Sequence, residues 1–200
     1  IEQFLMNADD NDKLWFLQLF TGKRPKRNIN TALMKQWAME AVSIPEWLFT
    51  ECYSSVGDLG ETISLLLPQP SSYIERTLSD WMNLIIDMKT ADEEQKKEFV
   101  LNAWKNLPYT ERFIFNKLLG GSFRIGVSSK ILINAIAKHY ELEPNSVAHS
   151  ILGEWETGKI NFRELIEGKY ANTQLSKPYP FCLAYALDKE SDELGNINDW

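Results

Sequence analysis

The amino-acid sequence predicts an all-α fold of many helices with an extended segment near its C-terminus. Apolar residues recur at intervals of three and four through most of residues 13–166, which is the pattern of amphipathic helices. Proline, glycine and cap-forming polar residues separate these runs. A period of two, typical of a strand, occurs only over residues 179–187. Because a lone strand needs a sheet, we expect this one to belong to a following domain of a longer chain.

The first half of the sequence divides into helices at glycine and proline. An apolar stretch ends at Thr21 and Gly22, and a basic loop follows it. Ser43 as an N-cap and Pro45 in the first turn predict one long helix that ends before Pro68. The helices expected in this half cover residues 13–20, 31–41, 45–67 and 74–88.

In the second half, acidic residues, proline and serine mark the helix starts. Glu93 and Glu94 suit a first turn because the helix dipole favours negative charge there. Pro108 begins the next helix, which ends at a glycine pair, and Ser128 or Ser129 caps the one after it. The helices expected in this half cover residues 92–106, 108–119, 129–140, 144–155 and 162–166.

Gly57 and Gly60 fall inside the long helix predicted over residues 45–67. Each glycine costs roughly 1 kcal/mol relative to alanine in a helix, so we expect a compensating contact. A tight crossing with another helix is favoured over contact with a ligand, because small residues let two backbones approach. Asp58 and Glu61 share a face here and could hold a metal ion, although two carboxylates more often form a solvated patch.

Charge is distributed unevenly along the chain. The formal charge of -7 and the pI near 5.0 argue against a protein that coats nucleic acid by bulk attraction. Residues 40–98 carry twelve acids and four bases, whereas residues 105–138 carry six bases and one acid. The sequence therefore predicts a basic face on an acidic body. No apolar run approaches the ~20 residues that cross a bilayer, so no membrane partner is expected.

The segment 118–130 is the strongest candidate for a ligand-binding loop. Its glycine pair permits positive φ and a close approach of the backbone to a partner. The amides of such a turn and of the next helix can donate to a phosphate, with Arg124 and Lys130 supplying charge. An ordinary connection between two helices explains the glycines equally well. The order Gly-Lys-Ser/Thr is missing, which argues against a P-loop.

A second candidate is the cationic loop that contains Lys23, Arg24, Lys26 and Arg27 around Pro25. Its charge density and its proline exclude a buried element. A phosphate clamp and a solvated loop are equally good explanations of this composition.

Few residues suggest a metal or catalytic site. His139 and His149 lie on separate predicted helices at no common metal-ligand spacing. Cys52 and Cys182 are far apart in sequence, and we expect them to be free thiols. The sequence contains no nucleophile elbow and no His-Glu-x-x-His motif.

Four segments follow one another along most of the chain in a recognisable order. They are residues 19–27, residues 44–62 from Ile44-Pro45-Glu46-Trp47 to Gly57-Asp58-Leu59-Gly60-Glu61-Thr62, residues 120–128, and residues 178–184. Together they resemble the N-terminal DNA-binding domain of ATP-dependent DNA ligases, especially the bacterial ones. The shared order makes the likeness more specific than any one segment.

The resemblance implies a domain organisation and a set of DNA contacts. Residues 1–175 would form the helical DNA-binding domain, and residues 176–200 would form the linker and first strand of an adenylation domain. An oligonucleotide-binding domain would complete the parent chain, and the three domains would encircle nicked duplex DNA. The phosphate contacts would come from one loop with Gly121, Ser122, Arg124, Gly126, Ser128 and Lys130, and from the basic segment with Lys23, Arg24, Lys26 and Arg27.

The resemblance also implies the activity of the parent protein. Such a ligase uses ATP and Mg²⁺ to seal nicks in DNA repair, replication or recombination, which in a bacterium places it in the cytoplasm at the nucleoid. The adenylated lysine belongs to a Lys-x-Asp-Gly motif that this sequence lacks, so we expect no cofactor and no ligation by this fragment alone. The alternative hypothesis is a helical protein-interaction scaffold that does not bind DNA.

Overall fold

A computed structural model of the chain describes residues 1–22, 25–70, 72–120, 127–153 and 155–169. The regular elements in these ranges are all helices, which confirms the all-α fold. They are α1 (Glu2–Asn7), α2 (Asp10–Phe20), α3 (Thr31–Val42), α4 (Glu46–Val56), α5 (Leu59–Leu66), α6 (Leu78–Asp87), α7 (Glu93–Asn106), α8 (Tyr109–Gly120), α9 (Ser129–Tyr140), α10 (Pro144–Leu152) and α11 (Phe162–Ile166). None of the helices in these ranges is long and apolar enough to span a membrane.

The helices enclose two hydrophobic clusters that share α2. Helices α3 to α8 supply most of the first cluster, and α1 with α9, α10 and α11 supply most of the second. Trp15 and Leu19, four residues apart on one side of α2, belong to the first cluster. Leu14 and Leu17, three residues apart on another side, belong to the second. Helix α2 therefore lies between the two clusters.

Two aspartates in the first turn of α2 connect it to both halves of the domain. The carboxylate of Asp12 accepts hydrogen bonds from the amides of Leu78 at 3.3 Å and Ser79 at 2.7 Å, at the start of α6. The carboxylate of Asp10 accepts from the amide of Phe162 at 3.2 Å, at the start of α11. Each carboxylate satisfies amides that a helix N-terminus leaves without an intrahelical partner.

The prediction of one long helix over residues 45–67 is wrong, because the helix breaks at Gly57 and the chain forms α4 and α5 instead. Gly57 has φ +79°, and the side chain of Asp58 then caps α5 by accepting from the amide of Glu61 at 3.0 Å. Ser43 is also not the expected N-cap. It has φ 53° and ends α3, whereas Pro45 precedes α4 and makes no side-chain cap.

The tight crossing expected at the glycines is confirmed for Gly60 alone. Helices α5 and α8 cross there, and a Cβ added to Gly60 would lie 3.2 Å from the Cβ of Asn116. A Cβ added to Gly57 would meet nothing within 4 Å. Gly57 is therefore present for its left-handed backbone, whereas Gly60 is present for the space it leaves.

Most other helix boundaries agree with the sequence. Ser128 is the N-cap of α9, as its position predicted, whereas Asp92, expected as the first residue of a helix, is the N-cap of α7. Helix α6 begins only at Leu78 and α10 ends at Leu152, so both are shorter than expected. The strand expected over residues 179–187 lies outside the described residues, and the division of the chain at residue 175 stays a prediction.

Candidate nucleic-acid interface

The structure describes four of the ten residues that were expected to contact DNA. Lys26, Arg27, Ser128 and Lys130 are described, and all four are exposed. The other six, which are Lys23, Arg24, Gly121, Ser122, Arg124 and Gly126, lie outside the described residues. The structure therefore shows where both candidate loops leave and rejoin the helices.

The first basic loop begins at the end of α2, beside the start of α9. The hydroxyl of Thr21 donates to the carbonyl of Leu17 at 2.7 Å, and Gly22 turns the chain with φ +80°. The hydroxyl of Ser129 donates to the carbonyl of Phe20 at 3.4 Å. The entry to the first loop thus lies next to the exit from the second loop.

The first loop rejoins the fold against α6 and the end of α8. Residues 25–29 and residues 117–119 of α8 line one cavity of about 20 Å³, which is room for roughly one water molecule. Ile29 is buried in the first hydrophobic cluster, and the side-chain amide of Asn28 donates to the carbonyl of Ile85 at 2.9 Å. These contacts fix the backbone beside Lys26 and Arg27 next to the entry of the second loop.

The ends of the two candidate loops therefore converge where the two hydrophobic clusters meet. Helix α8 belongs to the first cluster and α9 to the second, so residues 121–126 connect the clusters. Phe20, at the end of the shared helix α2, packs against both clusters. The two loops are separate candidates in the sequence, and the fold brings their described ends together.

Ser128 has a structural role at this place as well as an exposed hydroxyl. Its Oγ accepts from the amide of Ile131 at 3.3 Å and so caps α9. The hydroxyl proton is not needed for this bond. Lys130 lies in the first turn of α9, so its charge and the N-terminal end of the helix dipole both favour an anion here.

The basic face predicted from residues 105–138 is smaller than the charge count indicated. Arg112 is 1% exposed. Its guanidinium donates to the carbonyls of Leu67 at 3.2 Å, Pro68 at 2.9 Å and Ser64 at 3.4 Å, where α5 ends. Burial lowers the pKa of Arg112 from its ordinary value. Arginine nevertheless keeps its charge in proteins. Arg112 therefore closes a helix terminus and does not belong to the basic surface.

Lys117 is also partly withdrawn from that surface. Its ammonium forms an ion pair with the carboxylate of Asp58, with 15% and 30% of the two side chains exposed. Burial alone would raise the pKa of Asp58, but the hydrogen bonds from Lys117 and from the amide of Glu61, with the charge of Lys117, outweigh it and lower that pKa. Asp58 is consequently a carboxylate at neutral pH, close to the candidate interface.

The metal-site alternative finds no support in the described residues. Asp58 is occupied by its cap and its ion pair, and Glu61 accepts a hydrogen bond from the hydroxyl of Tyr109 at 3.3 Å. The Nδ1 atom of His139 lies 3.9 Å from the carboxylate oxygen Oε1 of Glu2. Within the described ranges, no three histidine, cysteine, aspartate or glutamate residues form a group that could hold a metal ion.

Comparison with known proteins assigns the chain to a family. The family model described as DNA ligase N terminus matches residues 1–137 of the 200 residues, from α1 into α9. The chain belongs to this family, the N-terminal domain of ATP-dependent DNA ligases. The family supports a DNA-binding role in a parent ligase, for which it implies ATP and a metal ion. No curated protein matches the chain.

Proposed function

We propose that this domain binds nicked duplex DNA without sequence specificity, through backbone phosphates on the minor-groove side. The observation that carries the proposal is that the described ends of the two basic loops converge where the two hydrophobic clusters meet. Lys26, Arg27 and Lys130 present exposed charge there, beside the start of α9. Arg24, Lys23 and the loop with Gly121, Ser122, Arg124 and Gly126 are expected to extend the same surface.

Such a surface would position DNA rather than react with it. Phosphate contacts fix the register and orientation of a protein on the duplex but carry no base information. In the proposed parent enzyme, ATP adenylates a lysine outside this chain, AMP passes to the 5′-phosphate at the nick, and the 3′-hydroxyl attacks with the help of Mg²⁺. The adenylation and oligonucleotide-binding domains would supply that chemistry, and this chain alone would not ligate.

The same proposal covers the domain limits and the cellular setting. Residues 1–175 would be the DNA-binding domain, and residues 176–200 would lead into the adenylation domain. The parent would be a bacterial ligase that acts with the chromosome in DNA repair, replication or recombination. The family match supports a DNA ligase, and the resemblance of residues 178–184 to an adenylation-domain entry supports the boundary.

Fluorescence anisotropy with a labelled nicked duplex at several salt concentrations tests this function. If about four to six charges engage phosphates, the logarithm of the affinity falls with the logarithm of salt at a slope near -4 to -5. Duplexes of different sequence should give the same affinity. A helical scaffold without DNA binding would show no salt-sensitive association.

The substitution Lys130→Ala tests whether Lys130 contacts a DNA phosphate. We expect it to weaken binding by about 5- to 10-fold near 0.1 M salt and to make the slope shallower by about 0.9, because one phosphate contact is lost. Lys105→Ala is the matched control, since exposed Lys105 lies near the end of α7, about one helix length from the end of α8. Equal effects of the two substitutions would contradict the assignment.

A further inference from the structure

We propose that Asp58 limits the DNA affinity of this domain by pairing with Lys117, and that Lys117 exchanges Asp58 for a DNA phosphate when DNA binds. This inference rests on the proposed function, and it adds a residue that neither candidate loop contains. It also assigns a regulatory role to the Gly57-Asp58 turn between α4 and α5.

Lys117 lies at the edge of the candidate interface. It is in the last turn of α8, which ends at Gly120, where the second candidate loop starts. With Lys26 and Arg27 it lines the small cavity between residues 25–29 and α8. Three cationic residues therefore surround one point, and within the described residues Asp58 is the acid that forms an ion pair with one of them.

The path of the Lys117 side chain explains the pairing. It crosses α5 at Gly60, where a Cβ would lie 3.4 Å from its Cδ. The ammonium then reaches the carboxylate of Asp58 and lies 5.6 Å from the centre of the Phe113 ring. Because Gly60 has no side chain, the Lys117 side chain can pass close to the backbone of α5 and reach Asp58.

The two partners differ in freedom of movement. Asp58 is fixed, because its side chain also caps α5 through the amide of Glu61. Lys117 is joined to α8 by a flexible four-carbon stem, and it can turn without disturbing a helix cap. The pair is neither fully exposed nor fully buried, and a phosphate would give the ammonium a new anionic partner in place of the carboxylate, so the exchange leaves no unpaired lysine. The lysine is therefore the partner that moves.

The test combines Asp58→Asn and Lys117→Gln in the full chain, with anisotropy of a labelled nicked duplex as the readout. Asparagine caps a helix as well as aspartate does, so Asp58→Asn removes the charge and keeps the cap. We expect Asp58→Asn to tighten binding by about 3- to 5-fold. Lys117→Gln should weaken binding and make the salt slope shallower by about 0.9.

Glu46→Gln is the matched control for Asp58→Asn. It makes the same change in net charge and breaks the ion pair with Lys35, which has an Nζ to Oε1 distance of 2.8 Å, at the start of α4. In the Lys117→Gln background, Asp58→Asn should tighten binding no more than Glu46→Gln does. An equal gain from Asp58→Asn with and without Lys117 would show a long-range charge effect and overturn the exchange.

Two further outcomes separate a failure of the proposed exchange from a failure of the proposed function. An unchanged salt slope in Lys117→Gln contradicts the exchange while the proposed function stands, whereas no DNA binding by the unaltered chain contradicts the proposed function itself. Thermal melting by circular dichroism checks folding of each variant. If Asp58→Asn does not fold, Asp58→Ser keeps a good cap without charge and replaces it in the same comparison.

Discussion

Arg112 is the residue whose role departs most from its charge. In the sequence Arg112 belongs to a basic stretch. In the structure its guanidinium donates hydrogen bonds to three carbonyls, at the end of α5 and in the segment after it. Those carbonyls have no partner within their own helix, and the planar group of arginine can reach several of them at once. Arg112 therefore stabilises the crossing of α5 and α8 and is unavailable to DNA.

Arg112→Lys should destabilise the domain without a specific effect on DNA affinity. Lysine keeps the charge but cannot serve three carbonyls in one plane, so we expect a loss of about 2 to 4 kcal/mol in the free energy of unfolding. Urea denaturation followed by circular dichroism measures it. Arg27→Lys, at an exposed position, is the control and should change stability by less than about 0.5 kcal/mol. A stable Arg112→Lys variant with weakened DNA binding would contradict this assignment.

Local signals predicted individual residues better than charge counts did. The cap expected at Ser128 is confirmed, because capping involves an amide only three positions away. The partners of Arg112 and Lys117 are separated from them in sequence by 44 to 59 residues. Helix packing brings such distant partners together, and the order of residues in a single sequence does not show which helices pack against each other.

At the scale of elements, the turn between α4 and α5 is the place where the structure differs most from the helices that the sequence predicts. The apolar spacing continues across Gly57, and this continuity predicted one helix. The backbone of Gly57 instead adopts φ +79° and Asp58 starts a new helix. A glycine followed by aspartate is a stop signal followed by a start signal, which is the pattern that could have revealed the break.

Gly57→Ala tests the break between α4 and α5. A left-handed backbone costs a residue with a Cβ about 1 to 2 kcal/mol, and we expect that loss in the free energy of unfolding. Packing adds nothing to the loss, because a Cβ there would meet no atom within 4 Å. Gly57→Asn should lose less, since asparagine tolerates this conformation. Urea denaturation measures both, and a stabilised Gly57→Ala would mean that one continuous helix exists.

At the scale of the whole molecule, the arrangement of the two clusters around α2 brings the described ends of the two basic loops close together. Asp12 connects α2 to the start of α6, and Asp10 connects it to the start of α11. The helix expected over residues 13–20 did not include these aspartates, because the apolar spacing starts only after them. The all-α class was predictable from periodicity, whereas the proximity of the described loop ends depends on long-range packing.

The second cluster also relates the fold to the family match. The match ends at residue 137 within α9, but Val147 and Ile151 of α10 and Phe162 of α11 are buried in the same cluster as Leu132 and Ile136 of α9. The folded core of the described chain therefore continues beyond the matched residues. This continuity supports the proposal that the domain extends toward residue 175.

The most direct test of the central claim is backbone amide NMR of the 23.1 kDa chain during titration with nicked duplex DNA. The proposed interface predicts that the largest shifts fall together in residues 20–28 and 117–131 and fade as salt is raised. Residues of α4 and α10 should change little. Shifts centred on those helices, or no shifts at low salt, would contradict the proposal that the two basic loops together hold the DNA.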